Sequence, residues 1–146
     1  MRKDIITVDD PDGLYLYENG KWIKKDVADF NKGTHVVYFD NKGCLACRLF
    51  DMVWFPLVKS NEWKDVRFWV VMCSWFDKRC SDNLAKGLFK NYMVKASPTT
   101  LIIKDGVVVD TIRGFLKIEE LKERIEGVLK KQKKTSGEAA TKGFWC

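Results

Sequence analysis

Between residues 35 and 47 the chain passes from a continuous apolar run to a cysteine pair that opens an amphipathic stretch, and this junction restricts the fold more than any other feature. His35-Val36-Val37-Tyr38-Phe39 shows no polar alternation. That is the pattern of a strand buried on both faces, which needs cover above and below. Asp40-Asn41-Lys42-Gly43 then turns the chain. From Cys44 onward, apolar residues at Leu45, Leu49, Met52, Val53, Phe55 and Leu57, with no glycine among them, predict a helix directly after the strand. Pro56 lies within or near its end, where the missing donor and the ring should kink or stop it.

The rest of the chain alternates in the same way. Leu14-Tyr15-Leu16-Tyr17 and Lys21-Trp22-Ile23 flank Glu18-Asn19-Gly20, a hairpin signal because both turn positions tolerate positive φ. Val66 to Cys73 reads as a second buried strand, and Ser81 or Asp82 can cap a helix to about Asn91. Thr99 to Lys104 and Val107 to Ile112 flank Asp105-Gly106 as an antiparallel pair. A last helix is predicted over about Ile118 to Lys131, with Ile118, Leu121, Ile125, Val128 and Leu129 at helical spacing. Glu119 and Glu120 open it and Lys130 and Lys131 close it, complementing the helix dipole. The polar stretch beyond Gln132 reads as disordered, with Phe144-Trp145-Cys146 as an apolar tip. Three segments result: residues 1–33 as an added hairpin packed on the core, 34–131 as the main domain, and 132–146 as a basic flexible tail.

A chain of 146 residues, 46% hydrophobic and 32% charged, can bury a core of its own and falls within the range of water-soluble globular proteins. No apolar run approaches the roughly 18 residues of a membrane span. Charge interrupts the start too early for a secretory signal, so the expected location is cytoplasmic. The net charge of +6 is concentrated at residues 130–146, where Lys130, Lys131, Lys133, Lys134 and Lys142 stand against Glu138. Such a run is usually a solvated segment, and with no RNA-binding motif beside it nucleic acid is not an expected partner.

Five cysteines in a reducing compartment point to reactive or metal-binding thiols rather than a disulfide framework. Cys44-Leu45-Ala46-Cys47 opens a helix, so the first thiol can face free helix-terminal amides. There a thiol typically drops to a pKa of about 3.5–7.5, and Lys42 and Arg48 add positive charge nearby. The second thiol, one turn further in, is close and more sheltered, which divides attack from resolution. The same spacing is half of a zinc site, for which Cys73 and Cys80 could supply the other half. Those two can also form a local disulfide or a second redox pair. The favoured reading leaves them as unrelated core thiols, and no metal is expected. Cys146 reads as incidental, with a mixed disulfide or a dimer as the lesser alternative.

Cys44-Leu45-Ala46-Cys47 after the strand at Val36 to Phe39, followed by Ala96-Ser97-Pro98-Thr99-Thr100 and Gly114, resembles the thioredoxin family over about residues 34–131. The resemblance implies a three-layer α/β/α sandwich with a mixed central sheet, to which the N-terminal hairpin is an addition. It implies a cis Ser97-Pro98 bond facing the cysteines, and a peptide groove lined by Ala96, Ser97, Pro98, Arg113, Gly114 and Phe115, with Trp75 as a further candidate. The implied activity is thiol–disulfide exchange on protein substrates, with Cys44 as nucleophile, Cys47 as resolving thiol and the pair as the redox-active disulfide. No cofactor is needed, and a separate reductase or small thiol supplies electrons. A disulfide reductase is the expected direction, with an oxidase or isomerase, or a binding adaptor, as alternatives. The chain departs from the family at three places. Gly43 replaces a usual tryptophan, Leu45-Ala46 replaces Gly-Pro, and Tyr38 stands where a buried acid is common. Neither Asp40 nor Asp51 is assumed to replace that acid. His35, Trp54, Trp63 and Trp69 read as packing residues.

Overall fold

The computed structural model describes residues 4–130 and 144–146. Its elements follow the order β1 (Gly13–Glu18), β2 (Lys21–Lys25), β3 (Thr34–Asn41), α1 (Leu45–Lys59), β4 (Val66–Cys73), α2 (Asn83–Asn91), β5 (Thr99–Lys104), β6 (Val107–Arg113) and α3 (Ile118–Leu129). The strands form one sheet in the order β2-β1-β4-β3-β5-β6. Strands β3 and β4 are parallel, with Tyr38 opposite Val70, and every other pairing is antiparallel. The sheet is therefore mixed, as expected. The N-terminal hairpin is built into it: β1 pairs with β4, Leu14 facing Val71. Asn19 and Gly20 turn the hairpin at φ 52° and 80°, the left-handed conformation that an Asn-Gly turn supplies at low cost.

Period-2 alternation sorts the strand residues onto two faces. Val36, Tyr38, Phe68, Val70 and Ile102 pack against Phe50, Trp54, Leu57 and Val58 of α1 and Leu121 and Ile125 of α3. Val37, Phe39, Trp69, Val71 and Ile103 pack against Ala85, Leu88 and Phe89 of α2. Each large side chain buried in these layers contributes about 1.5–3 kcal/mol. His35, also buried, accepts a hydrogen bond from Trp69 Nε1 on Nδ1 and makes a 2.8 Å contact from Nε2 to the Lys32 carbonyl. The ring is thus a satisfied packing group.

One boundary differs from the sequence reading, and two alternatives left open there are resolved. Helix α1 runs through Pro56 to Lys59. Residue 56 is exposed, so water can take the carbonyl left without a donor. Strand β3 extends through Asp40 and Asn41, both completely buried, so the turn begins at Lys42. Asp82 rather than Ser81 caps α2, its carboxylate accepting from the Ala85 amide at 2.9 Å. The lysine-rich part of the tail, residues 131–143, lies outside the described residues. Among the described residues no helix is long and apolar enough to cross a membrane.

Candidate active site

The extended run of β3 ends against the first turn of α1, and Cys44 sits at that corner as the helix N-cap, with φ −103° and ψ 117°. Its Sγ lies 3.4 Å from the Cys47 amide, which donates to it. A sulfur so placed feels the positive end of the helix dipole, which favours the thiolate when the sulfur is free. Cys47 lies in the first turn, completely buried and reduced. Burial, followed by the negative charge of Asp40, pushes its thiol up to about 12, against the opposing influence of Asn41, Ser97 and Arg48. The two cysteines thus face different environments, one at the helix terminus and one behind it.

The disulfide formed at this corner joins Cys44 to Cys146, 102 residues away in sequence, and not to Cys47. Cys146 is therefore not incidental, a correction that residues 144–146 impose by lying directly against the site. Cys73 and Cys80 are also bonded to each other, where unrelated thiols were expected. Their Cα atoms are only 4.7 Å apart because the chain folds back on itself between them, the Ser74 and Trp75 amides both donating to the Arg79 carbonyl.

Behind Cys47 lies a cluster of acids that the local pattern did not reveal. Asp40 shares the face of Tyr38, two residues further along β3, and is fully buried. Arg48 Nη2 donates to Asp40 Oδ1 at 2.5 Å and Arg48 Nε to Asp51 Oδ2 at 3.1 Å, while Tyr38 Oη donates to Asp51 Oδ1 at 2.8 Å. One guanidinium thus serves two carboxylates. Burial and the neighbouring Asp51 hold the Asp40 carboxyl well above the usual carboxylate range, against the pull of Arg48. Asp40 Oδ2 has no protein hydrogen-bond partner. Arg48 also donates through Nη1 to the Asn41 and Lys42 carbonyls, bracing the turn before Cys44.

Charges expected to act on Cys44 are thus engaged elsewhere. Arg48 is paired with two acids, and Lys42 Nζ is 3.0 Å from Oδ1 of the buried Asp12. Asp12 also accepts from the Ser81 amide at 2.8 Å and its hydroxyl at 3.1 Å. Burial raises the Asp12 carboxyl, but the Ser81 amide and Lys42 outweigh it and hold it below the ordinary value. Tyr38 acts at one remove, its hydroxyl lying 3.1 Å from the Cys47 carbonyl and its charge-bearing partner being Asp51.

The opposite wall comes from the segment before β5 and the end of β6. Ser97-Pro98 is cis, and the Gly114 amide donates to the Pro98 carbonyl at 2.7 Å, fastening the two strands together. The Ser97 carbonyl lies 3.5 Å from Cys44 Sγ. Residues 144–146 run along this wall. Ser97 N–H donates to the Cys146 carbonyl at 3.2 Å, Cys146 N–H donates to the Ser97 carbonyl at 2.7 Å, and Phe115 N–H donates to the Phe144 carbonyl at 3.1 Å. Of the other residues expected here, Ala96 has its carbonyl taken by the Thr99 hydroxyl at 2.7 Å, and Arg113 ends β6 exposed. Trp75 packs on Cys44, Ala46 and Cys47. A Cβ on Gly43 would lie 3.7 Å from its ring, so the indole covers the residue before the first cysteine. Asn41, overlooked as a turn residue, ties the walls together: its Nδ2 donates to Ser97 Oγ at 2.8 Å and its Oδ1 accepts from the Phe76 amide at 2.6 Å.

A mixed sheet covered on both faces, with a cysteine pair at the start of α1 and a cis-proline wall opposite, defines a thioredoxin-like α/β fold. Similar solved structures include a thioredoxin from Aeropyrum pernix, 18% identical over 83% of this chain and 98% of that one, with a TM-score of 0.64. Mitochondrial thioredoxin 3 from Saccharomyces cerevisiae in its oxidized form is 23% identical over 66% and 81%, with a TM-score of 0.51. Thioredoxin O2 from Arabidopsis thaliana, in the oxidized state, is 26% identical over 66% and 76%, with a TM-score of 0.50. No family profile and no curated protein matches the sequence.

Proposed function

We propose that this chain is a thiol–disulfide oxidoreductase acting on protein disulfides, with Cys44 as nucleophile and Cys47 as resolving thiol. The observation that carries the reading is the N-cap position of Cys44 with a buried, free Cys47 one turn behind it. In the forward direction the Cys44 thiolate attacks one sulfur of a substrate disulfide. A Cys44–substrate bond forms, the substrate S–S bond breaks, and the second substrate sulfur leaves as a thiolate. Cys47 then attacks Cys44, releasing the reduced substrate and leaving the Cys44–Cys47 disulfide. The thiol of Cys47 is a poor nucleophile until it loses its proton, and the ionised fraction of Asp40 is suited to accept it. Its elevated pKa makes it a stronger base than an ordinary carboxylate, and general bases work best near the ambient pH. Ser97 and Phe115 supply main-chain donors to an extended peptide, and Trp75 shields the sulfurs. The reducing direction is our choice, with electrons supplied by a separate reductase or a small thiol; no cofactor takes part.

The test is reduction of insulin by the full chain with a small dithiol as donor. Cys44→Ser should abolish turnover, and Cys47→Ser should accumulate a mixed disulfide with the substrate. Undiminished turnover in Cys44→Ser would sink the reading, and substrate binding that survives without any exchange would favour an adaptor. Equilibration against graded dithiol buffers, with Cys73, Cys80 and Cys146 replaced by serine, fixes the direction. A strongly oxidising pair would replace the reductase with an oxidase or isomerase.

A further inference from the structure

Resting on that reading, we propose that Cys146 is a third redox thiol of the site, carried into the peptide groove by residues 144–146 acting as a tethered substrate. Ser97 and Cys146 exchange both main-chain hydrogen bonds, the arrangement of a directly opposed antiparallel pair, and Phe115 adds a third bond to Phe144. This is recognition by strand addition, in which main-chain bonds supply affinity and side-chain pockets supply selectivity. The rings of Phe115 and Phe144 lie 6.3 Å apart in an edge-to-face arrangement, so the aromatic two residues before the cysteine has its own contact. The sulfur of Cys146 reaches Cys44 from the groove side, while Cys47 waits behind Cys44 as a free thiol. The arrangement has the parts of a mixed disulfide awaiting resolution, with the peptide belonging to the same chain.

The reaction this permits is an interchange. Deprotonated Cys47 attacks Cys44 Sγ, the Cys44–Cys47 bond forms, the Cys44–Cys146 bond breaks, and the Cys146 sulfur leaves as a thiolate that takes up a proton. One disulfide and one thiol are present before and after, so no oxidant or reductant is consumed. In one isomer the nucleophile is capped and the groove filled; in the other the groove is released. Tethering gives the tail cysteine an effective concentration of about a millimolar, well above a protein substrate at about 10 μM. The tail therefore competes for the site, and the Phe115 contact that seats Phe144 favours substrates that present an aromatic residue two positions before their cysteine.

The test is disulfide mapping of the full-length chain, equilibrated with a glutathione buffer, alkylated in acid and digested. A Cys44–Cys146 cross-link in monomers, more abundant in Cys47→Ser and less abundant in Phe144→Ala, is the expected result. Exclusive Cys44–Cys47 bonding in the wild type, with no monomeric Cys44–Cys146 bond in Cys47→Ser, would overturn the proposal. So would a Cys146 cross-link found only in dimers. As a second readout, Cys146→Ser should reduce insulin at about 10 μM up to about a hundredfold faster than the wild type, the ratio of the two concentrations above when tail and substrate bind equally well. Equal rates together with exclusive Cys44–Cys47 bonding sink this inference alone. Absence of turnover in both proteins sinks the oxidoreductase reading, and a mapped Cys44–Cys146 bond would still support the docked tail.

Discussion

Replacing Asp40 by asparagine separates what this carboxyl costs the fold from what it contributes to the chemistry. Asparagine keeps an acceptor for Arg48 and leaves Arg48 paired with Asp51 alone, so two acids sharing one guanidinium become a balanced pair. With its pKa raised in the folded state, wild-type Asp40 holds a proton that the unfolded chain releases above about pH 4. Folding then takes up a proton, and stability falls as pH rises through this window. The slope is at most about 1.4 kcal/mol per pH unit for one group, so the advantage of Asp40→Asn grows by no more than about 2.7 kcal/mol between pH 5 and 7. Urea denaturation of both proteins at several pH values measures this, and taking the difference cancels the titrating groups that do not touch the Asp40–Asp51 pair. Resolution should move the other way: without the base, release of substrate from a preformed mixed disulfide should slow by about a hundredfold. A stability difference that does not change with pH, or an unaltered release rate, would refute the corresponding half of the argument.

Opening the Cys73–Cys80 bridge with serine at both positions should lower stability by about 2.5 kcal/mol, the chain-entropy value for so short a loop, as read from the denaturation midpoint. Trp54 is completely buried against Tyr38, Phe50 and Phe68, so Trp54→Ala should cost about 3–5 kcal/mol. Trp54→Phe should cost much less, because it also removes an indole N–H that has no hydrogen-bond partner; equal losses in the two variants would contradict this. Burial holds the His35 imidazole below its ordinary pKa, so its contribution is fully present above about pH 6.5 and is lost as acid protonates the ring. NMR titration should find the ring's midpoint below that of a free imidazole, and an ordinary or raised value would refute it.

Local periodicity was enough to place the strands and the helices that cover them, because β3 and β4 carry continuous apolar runs at Val36–Phe39 and Phe68–Cys73 and α3 has a clear helical stripe. The strand-to-helix corner at Cys44 was legible for the same reason. What escaped was long-range or masked by residue type. Asp40 and Asn41 look like turn residues, yet β3 buries both because Arg48 and Ser97 arrive from elsewhere in the chain to satisfy them. Asp12 precedes the first strand, and only the fold brings Lys42 and Ser81 to it. Cysteine partners follow from three-dimensional proximity, which spacing along the chain does not encode, and the Cys44–Cys146 pairing spans most of the sequence.

Gly43 and Trp75 divide one region of space between two positions far apart in the chain. The side of Gly43 on which a side chain would begin faces the indole at ordinary van der Waals distance, although the residue itself is exposed. The cover over the first cysteine is therefore supplied from the loop between Cys73 and Cys80 and not from the residue before Cys44. Any attempt to graft the cysteine motif onto another scaffold must consequently carry that loop with it.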